Sequence, residues 1–148
     1  MKRPKQFYYI THKDNLKSIL KTGILSRNKT TLWKLLLGER IKSIHAEDII
    51  EIRKNKKFKN RPLWDYVNLY FAVRNPMLYR VVREFKEDNI VVLQIKTDVI
   101  DQAEVGLTDG NAASKETQFF EDIEKGLSSL DVKQFEKDYW NDSDKRKL

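Results

Sequence analysis

Residues 7 to 24 leave the chain little freedom. Gln6-Phe7-Tyr8-Tyr9-Ile10 is short, aromatic and rich in strand formers, which predicts a first β-strand. Thr11 follows as a helix N-cap, with Asp14 three residues on as a capping-box acid. Leu16, Ile19 and Leu20 fall at helical spacing, and Gly23 stands where a helix C-terminus needs a residue tolerant of positive φ. A strand running through a tight turn at His12 into a helix is incompatible with an all-helical chain or a plain β-sandwich.

The rest of the chain is sparsely punctuated. Only 5 Gly and 3 Pro interrupt 148 residues, with no internal repeat and no low-complexity linker, so the length fits one domain, residues 1–148. Residues 32 to 37 suggest one or two helical turns. Residues 46 to 55 read as a helix on which Ala46, Ile49, Ile50 and Arg53 share a face. An arginine in line with an apolar stripe either snorkels out at the helix end or points into a site. The run from 53 to 61 holds six basic residues in nine and reads as a loop. Residues 66 to 73 read as a strand, broken by Asn75-Pro76, with a helix over 77 to 86. Residues 90 to 95 are a nearly continuous apolar run, as in a central strand. Residues 104 to 107 suggest a short strand, Asp109-Gly110 a turn, and Asn111 the cap of a following helix. Residues 131 to 140 read as a last helix, with Val132, Phe135 and Tyr139 on one face. The order predicts an α+β fold with a small sheet.

Several chemistries are excluded. With 0 Cys there is no disulfide, thiolate metal site or cysteine nucleophile. Two histidines, His12 and His45, need carboxylates to complete a zinc site, and no metal is expected. Walker A, GxGxxG, HExxH and GxSxG patterns do not occur. The N-terminus is basic without the apolar stretch of a secretory signal, and no run approaches the ~20 residues of a membrane span, so a cytoplasmic protein with no membrane partner is expected. The balance of 29 Lys and Arg against 22 Asp and Glu, a net +7, suits a polyanionic partner.

Candidate functional residues follow from position. His12 sits at a strand end, where ligand contacts concentrate, though a turn histidine bonded to nearby backbone is equally consistent. Asn15 is near enough to reach the same pocket, or is a polar residue of the first turn. Arg74, Asn75, Met77 and Tyr79 surround a strand-to-helix turn; they suit a mixed pocket for a flat base, or a simple turn with core Met77 and Leu78. Lys54, Lys56 and Lys57, with Phe58 inside the run, suit phosphate contacts or a solvated loop.

These stretches, in order, resemble the DarT family of single-stranded-DNA ADP-ribosyltransferases. Tyr9-Ile10-Thr11-His12-Lys13-Asp14-Asn15-Leu16 with Gly23-Ile24-Leu25-Ser26 is similar to the family's NAD-binding segment. Ile52-Arg53 resembles the segment of its essential arginine, with Arg40 as a rival. Tyr66-Val67-Asn68-Leu69-Tyr70-Phe71, followed by Arg74-Asn75-Pro76-Met77-Leu78-Tyr79, resembles its most recognisable block, and residues 108 to 114 a third. The resemblance implies the ADP-ribosyltransferase fold, a small split β-sheet with surrounding helices. It implies NAD as substrate, held by His12 and Asn15, with Arg53 as the catalytic residue on the pyrophosphate or the developing charge. Arg74, Asn75, Met77 and Tyr79 would then shape the acceptor-base pocket, Lys54, Lys56 and Lys57 would guide the DNA, and a macrodomain antitoxin would be the partner of such a toxin. The family's catalytic glutamate follows a basic segment that Lys145-Arg146-Lys147-Leu148 resembles, so the resemblance implies that this glutamate segment is lacking and activity lost or weakened. Glu104 has a similar surrounding but precedes the third block. The rival functional reading is a module that binds single-stranded DNA or NAD without chemistry.

Overall fold

A computed structural model describes residues 3–38, 41–102 and 104–130. Among these residues helices and three two-stranded sheets alternate, an α+β arrangement. The chain groups into two compact units. One is built from residues up to Tyr9, Leu69–Arg80 and the chain from Val92 onward; the other from Ile10–Asn68 and Val81–Val91.

The first predicted turn forms with a shift of one residue. Strand β1 spans Phe7–His12, a 3-10 turn follows, and α1 spans Leu16–Thr22. The cap is His12, not Thr11: its backbone is extended and its ring accepts the Asp14 N–H. Thr11 is the wrong residue for that place because its hydroxyl accepts from Asn15 instead. Gly23 closes α1 at φ 79°, its N–H donating to the Ile19 carbonyl at 2.8 Å.

Helix α2, Arg27–Leu37, is longer than the expected one or two turns, because Ser26 caps it through the Lys29 N–H and Gly38 ends it in the left-handed region. Helix α3, Glu47–Asn55, lies where expected and starts with two acids that suit the positive end of its dipole. The basic run beyond it is not a loop. Strand β2, Lys57–Phe58, pairs antiparallel with β3, Arg61–Pro62, around a two-residue turn. Lys59 and Asn60 take φ values of 48° and 62°, the paired positive values of a type I′ hairpin turn, built here without glycine. Around α3 and this hairpin the unit's buried apolar side chains are Ile10, Ile44, Phe58, Leu63 and Val81.

Residues 66 to 73 do not form the predicted strand. They make a single bridge, in which Tyr8 and Tyr70 exchange backbone hydrogen bonds of 2.8 and 2.9 Å. At the start of this stretch the Tyr66 carbonyl is turned to Arg53, accepting from it at 3.2 Å. Helix α4, Pro76–Phe85, begins with Pro at its first position and Asn75 as cap, the Asn75 Oδ1 accepting from the Leu78 N–H at 3.0 Å. Strand β4, Ile90–Ile95, pairs with β1 in a two-stranded sheet. It is not central: its side chains are half-buried and Gln94 is exposed, as befits a strand with one neighbour among the described residues.

The other unit's core holds Phe7, Ile100, Leu107 and Leu127, with Phe71 edge-on to Phe7 at 5.3 Å. Strand β5, Leu107–Thr108, pairs with β6, Phe119–Phe120, and α5, Ile123–Ser129, packs on that hairpin. Close approach at Gly126 allows it: a Cβ there would stand 2.9 Å from the Phe120 Cβ. The helix expected after Asn111 is a turn instead, in which the Asn111 side chain accepts the Ala113 N–H at 3.0 Å. Its carbonyl takes the Ser114 N–H at 2.8 Å. The predicted helix over 131 to 140 and the rival Arg40 lie outside the described residues.

Candidate functional site

Within the second unit the end of β1 carries a tight polar network. His12 is buried, its ring edge-on to Phe85 at 6.5 Å between centroids. Its Nδ1 accepts the Asp14 N–H at 3.2 Å, which places the proton of the neutral imidazole on Nε2, ready to donate. Asn15 is 5% exposed. Its Nδ2 donates to Thr11 Oγ1 at 3.0 Å and to the Lys42 carbonyl at 2.9 Å, and its Oδ1 accepts the Lys42 N–H at 2.9 Å. The Lys42 ammonium lies 2.5 Å from Asp14 Oδ2. Its hydrogen bond holds the Asp14 carboxyl below the usual carboxylate range, against an opposing desolvation.

Arg53 does not snorkel. It is 4% exposed, turned inward from α3. Its Nη1 donates to Asn68 Oδ1 at 2.8 Å, and its Nη2 to the carbonyls of Leu63 at 2.6 Å and Tyr66 at 3.2 Å. The guanidinium thereby gathers the 63 to 68 segment around itself.

The basic hairpin presents cations beside aromatic faces. Lys54 stands 5.5 Å from the Trp64 ring centre, Lys59 5.5 Å from Phe58 and Arg61 5.7 Å from Tyr66. Lys54 and Lys57 are exposed, whereas Lys56 is half-buried and its burial lowers the ammonium's proton affinity.

In the first unit, the turn into α4 exposes Arg74 and Tyr79, with Met77 half-buried. Asn75 is buried; its Nδ2 donates to the carbonyls of Ala72 at 3.0 Å and Val73 at 3.2 Å, so it shapes the turn. Met77 Sδ accepts from Arg80 at 3.3 Å. Glu104 is an exposed turn residue at φ 66°. Among the described residues no group of three or more His, Asp or Glu is placed to hold a metal ion, and no helix is long and apolar enough to cross a membrane.

The structure therefore brings His12 and Asn15 into one network and Arg53, Lys54, Lys56 and Lys57 onto one helix and hairpin. Sequence reasoning missed Lys42 and Asn68. Asn68 lies in the Tyr66 to Phe71 stretch, but only its bond to Arg53 reveals its part. Lys42 carried no signal at all.

The comparisons bear on this geometry. A family model described as "ssDNA thymidine ADP-ribosyltransferase, DarT" matches residues 8–148. A DNA ADP-ribosyl transferase–DNA ADP-ribosyl glycohydrolase fusion protein of Thermosipho africanus is 38% identical over 152 residues; the match covers 99% of this chain and 38% of the fusion. A DNA ADP-ribosyl transferase of Thermus sp. is 31% identical, with 94% of this chain and 68% of that protein covered. Among solved structures, Thermosipho africanus DarTG in complex with ADP-ribose superposes at TM-score 0.80 with 34% identity, covering 97% of this chain and 38% of that one. Thermus sp. 2.9 DarT in complex with ADP-ribosylated ssDNA superposes at 0.77 with 29% identity, covering 99% and 73%. With nearly every described residue spanned by the family model and an identity of 31% to a transferase of which it covers two thirds, the chain belongs to the DarT family.

Proposed function

We propose that this chain transfers ADP-ribose from NAD to a base, thymine, in single-stranded DNA, acting as a cytoplasmic toxin whose partner is an ADP-ribosyl glycohydrolase of macrodomain type. The observation that carries the reading is the likeness, at TM-scores of 0.77 and 0.71, to a DarT solved both with ADP-ribosylated ssDNA and with NAD+. The fused glycohydrolase of the Thermosipho relative supports the partner.

In this reading NAD is a substrate. The bond between the ribose and the nicotinamide nitrogen breaks, nicotinamide keeps the electron pair, and the ribose carbon gains oxocarbenium character. The base then forms the new bond and releases a proton. His12 offers Nε2–H to NAD. Arg53, fixed by three acceptors, holds its positive charge in a site of low exposure, where a charge acts more strongly than in water. Arg74, Met77 and Tyr79 receive the base, with Asn75 shaping their turn. Lys54, Lys56 and Lys57 on the hairpin side steer the phosphates.

The test mixes the chain with NAD and a thymine-containing single-stranded oligonucleotide and reads the oligonucleotide by mass spectrometry. One added ADP-ribose per oligonucleotide, absent when thymine is replaced, is the expected result. An unmodified oligonucleotide under conditions where NAD still raises the protein's Tm would overturn the transferase reading for these residues and favour the binding module.

A further inference from the structure

The connection between α2 and α3 carries Lys42, and the turn after β1 grips it there twice. Asn15 and the Lys42 backbone exchange two hydrogen bonds of 2.9 Å, one in each direction, as paired strands do. A carboxamide has two N–H donors. The donors of Asn15 go to Lys42 and to Thr11 Oγ1, so both are spent inside the protein. One residue away, Asp14 takes the Lys42 ammonium through its carboxylate and sends its backbone N–H to His12 Nδ1. The same backbone turn thus fixes the His12 ring and holds a segment 27 residues away. A ligand that recruited an Asn15 donor would strip the Lys42 carbonyl or the buried Thr11 hydroxyl of its partner.

We propose that Asp14, Asn15 and Lys42 form a latch that sets the geometry of the His12 site, and that Asn15 is a positioning residue acting through Lys42 rather than an NAD ligand. The proposal rests on NAD occupying the His12 site. It assigns Asn15 and Lys42 a shared effect: the latch is lost whichever side is cut.

Two cuts separate the roles. Asn15→Ala removes the side chain, and Lys42→Pro removes the backbone N–H that it receives together with the ammonium held by Asp14. NAD affinity is measured by calorimetry for the parent, both variants and the double variant, with Tm as a fold control. Each single change is expected to weaken NAD about tenfold, and the double change no more than the weaker-binding single. Losses that multiply in the double variant, or parent-like affinity in Lys42→Pro beside a weak Asn15→Ala, would make Asn15 a direct ligand and overturn the latch. Lys42→Met, an exposed change that spares the fold, cuts only the ion pair. It should weaken NAD about threefold at low salt and not at 0.5 M salt, and an unchanged low-salt affinity refutes the ionic half. If the parent itself binds no NAD, the NAD reading of the site fails first and the latch proposal falls with it. Wrong variant behaviour in a parent that binds NAD sinks the latch alone.

Discussion

Arg53→Met removes a cation that three acceptors surround. The guanidinium is 4% exposed and donates to Asn68 Oδ1, the Leu63 carbonyl and the Tyr66 carbonyl. A hydrogen bond from a charged group contributes about 1.5–3 kcal/mol net. The three are not additive, because the freed acceptors relax together and some regain water. Removing one partner of a buried charged cluster costs about 3–5 kcal/mol. A loss near 4 kcal/mol is therefore expected. In a chain of this length roughly 3–4 °C of Tm accompany each kcal/mol, which predicts a fall of roughly 12–16 °C. Arg53→Lys keeps the charge, but one ammonium cannot span acceptors arranged for a planar fork, so about half the loss remains. Asn68→Ala removes only the Nη1 bond and should cost about 1–2 kcal/mol. Thermal and urea unfolding followed by circular dichroism measure all three. An Arg53→Met variant within about 1 kcal/mol of the parent, or a ranking with Asn68→Ala as the most damaging, would refute the view that Arg53 organises residues 63 to 68.

Four further outcomes are expected. His12→Ala loses a cap of about 1 kcal/mol and, under the proposed function, also loses all NAD-dependent stabilisation; a rise in Tm with NAD equal to the parent's would place the site elsewhere. The Asp14 carboxyl titrates below its ordinary value, so its stabilising effect is complete above the unfolded value of about 3.9 and disappears as pH falls through the lowered one. The Tm gap between the parent and Asp14→Asn should accordingly hold from neutral pH to about pH 5 and close in stronger acid. Replacing Lys54, Lys57 and Lys59 together by Gln should reduce the slope of log affinity for single-stranded DNA against log salt by about 2, at ~0.7 per phosphate contact, and an unchanged slope removes the hairpin from the DNA path. Gly126→Ala gains helix propensity but drives a Cβ to 2.9 Å from the Phe120 Cβ and 3.0 Å from Leu107 Cδ1, so net destabilisation of about 1–2 kcal/mol should appear in urea unfolding.

What the sequence disclosed was local. Gly23 and the spacing of Leu16, Ile19 and Leu20 marked α1, and Asn75-Pro76 marked the start of α4, because caps and prolines act on their own neighbourhood. The failures share a different cause. Residues 66 to 73 have the composition of a strand, but they meet a partner at one bridge, Tyr8 with Tyr70, and the Tyr66 carbonyl serves a guanidinium arriving from residue 53. The β2–β3 hairpin was hidden because Lys-Asn adopts the paired positive φ values that Asn-Gly usually advertises. Strands β5 and β6 span two residues each, too few for any period to show. At the site, the identities of His12, Asn15 and Arg53 were legible, whereas their partners Lys42 and Asn68 were not, since partnership across 27 or 15 residues leaves no mark on spacing.

Those partnerships decide how the candidate residues can act. His12, Asn15 and Arg53 are each at most 5% exposed, and a buried polar group is tolerated only when hydrogen-bonded. Each is therefore a structural element before any ligand arrives, and a substitution that abolishes activity does not by itself distinguish chemistry from folding. The valences differ in a way that does. Asn15 has spent both donors on the protein. His12 has spent only Nδ1, as an acceptor, so under the proposed function Nε2–H is the group it has for NAD. His12 should then be the position where binding and stability come apart: His12→Asn can still accept the Asp14 N–H as a cap yet cannot extend a donor as far as an imidazole does. A variant with parent-like Tm and no NAD response is the expected result. If His12→Asn keeps its NAD response as well as its fold, the ring's role is the cap alone, and the ligand must be met by other groups.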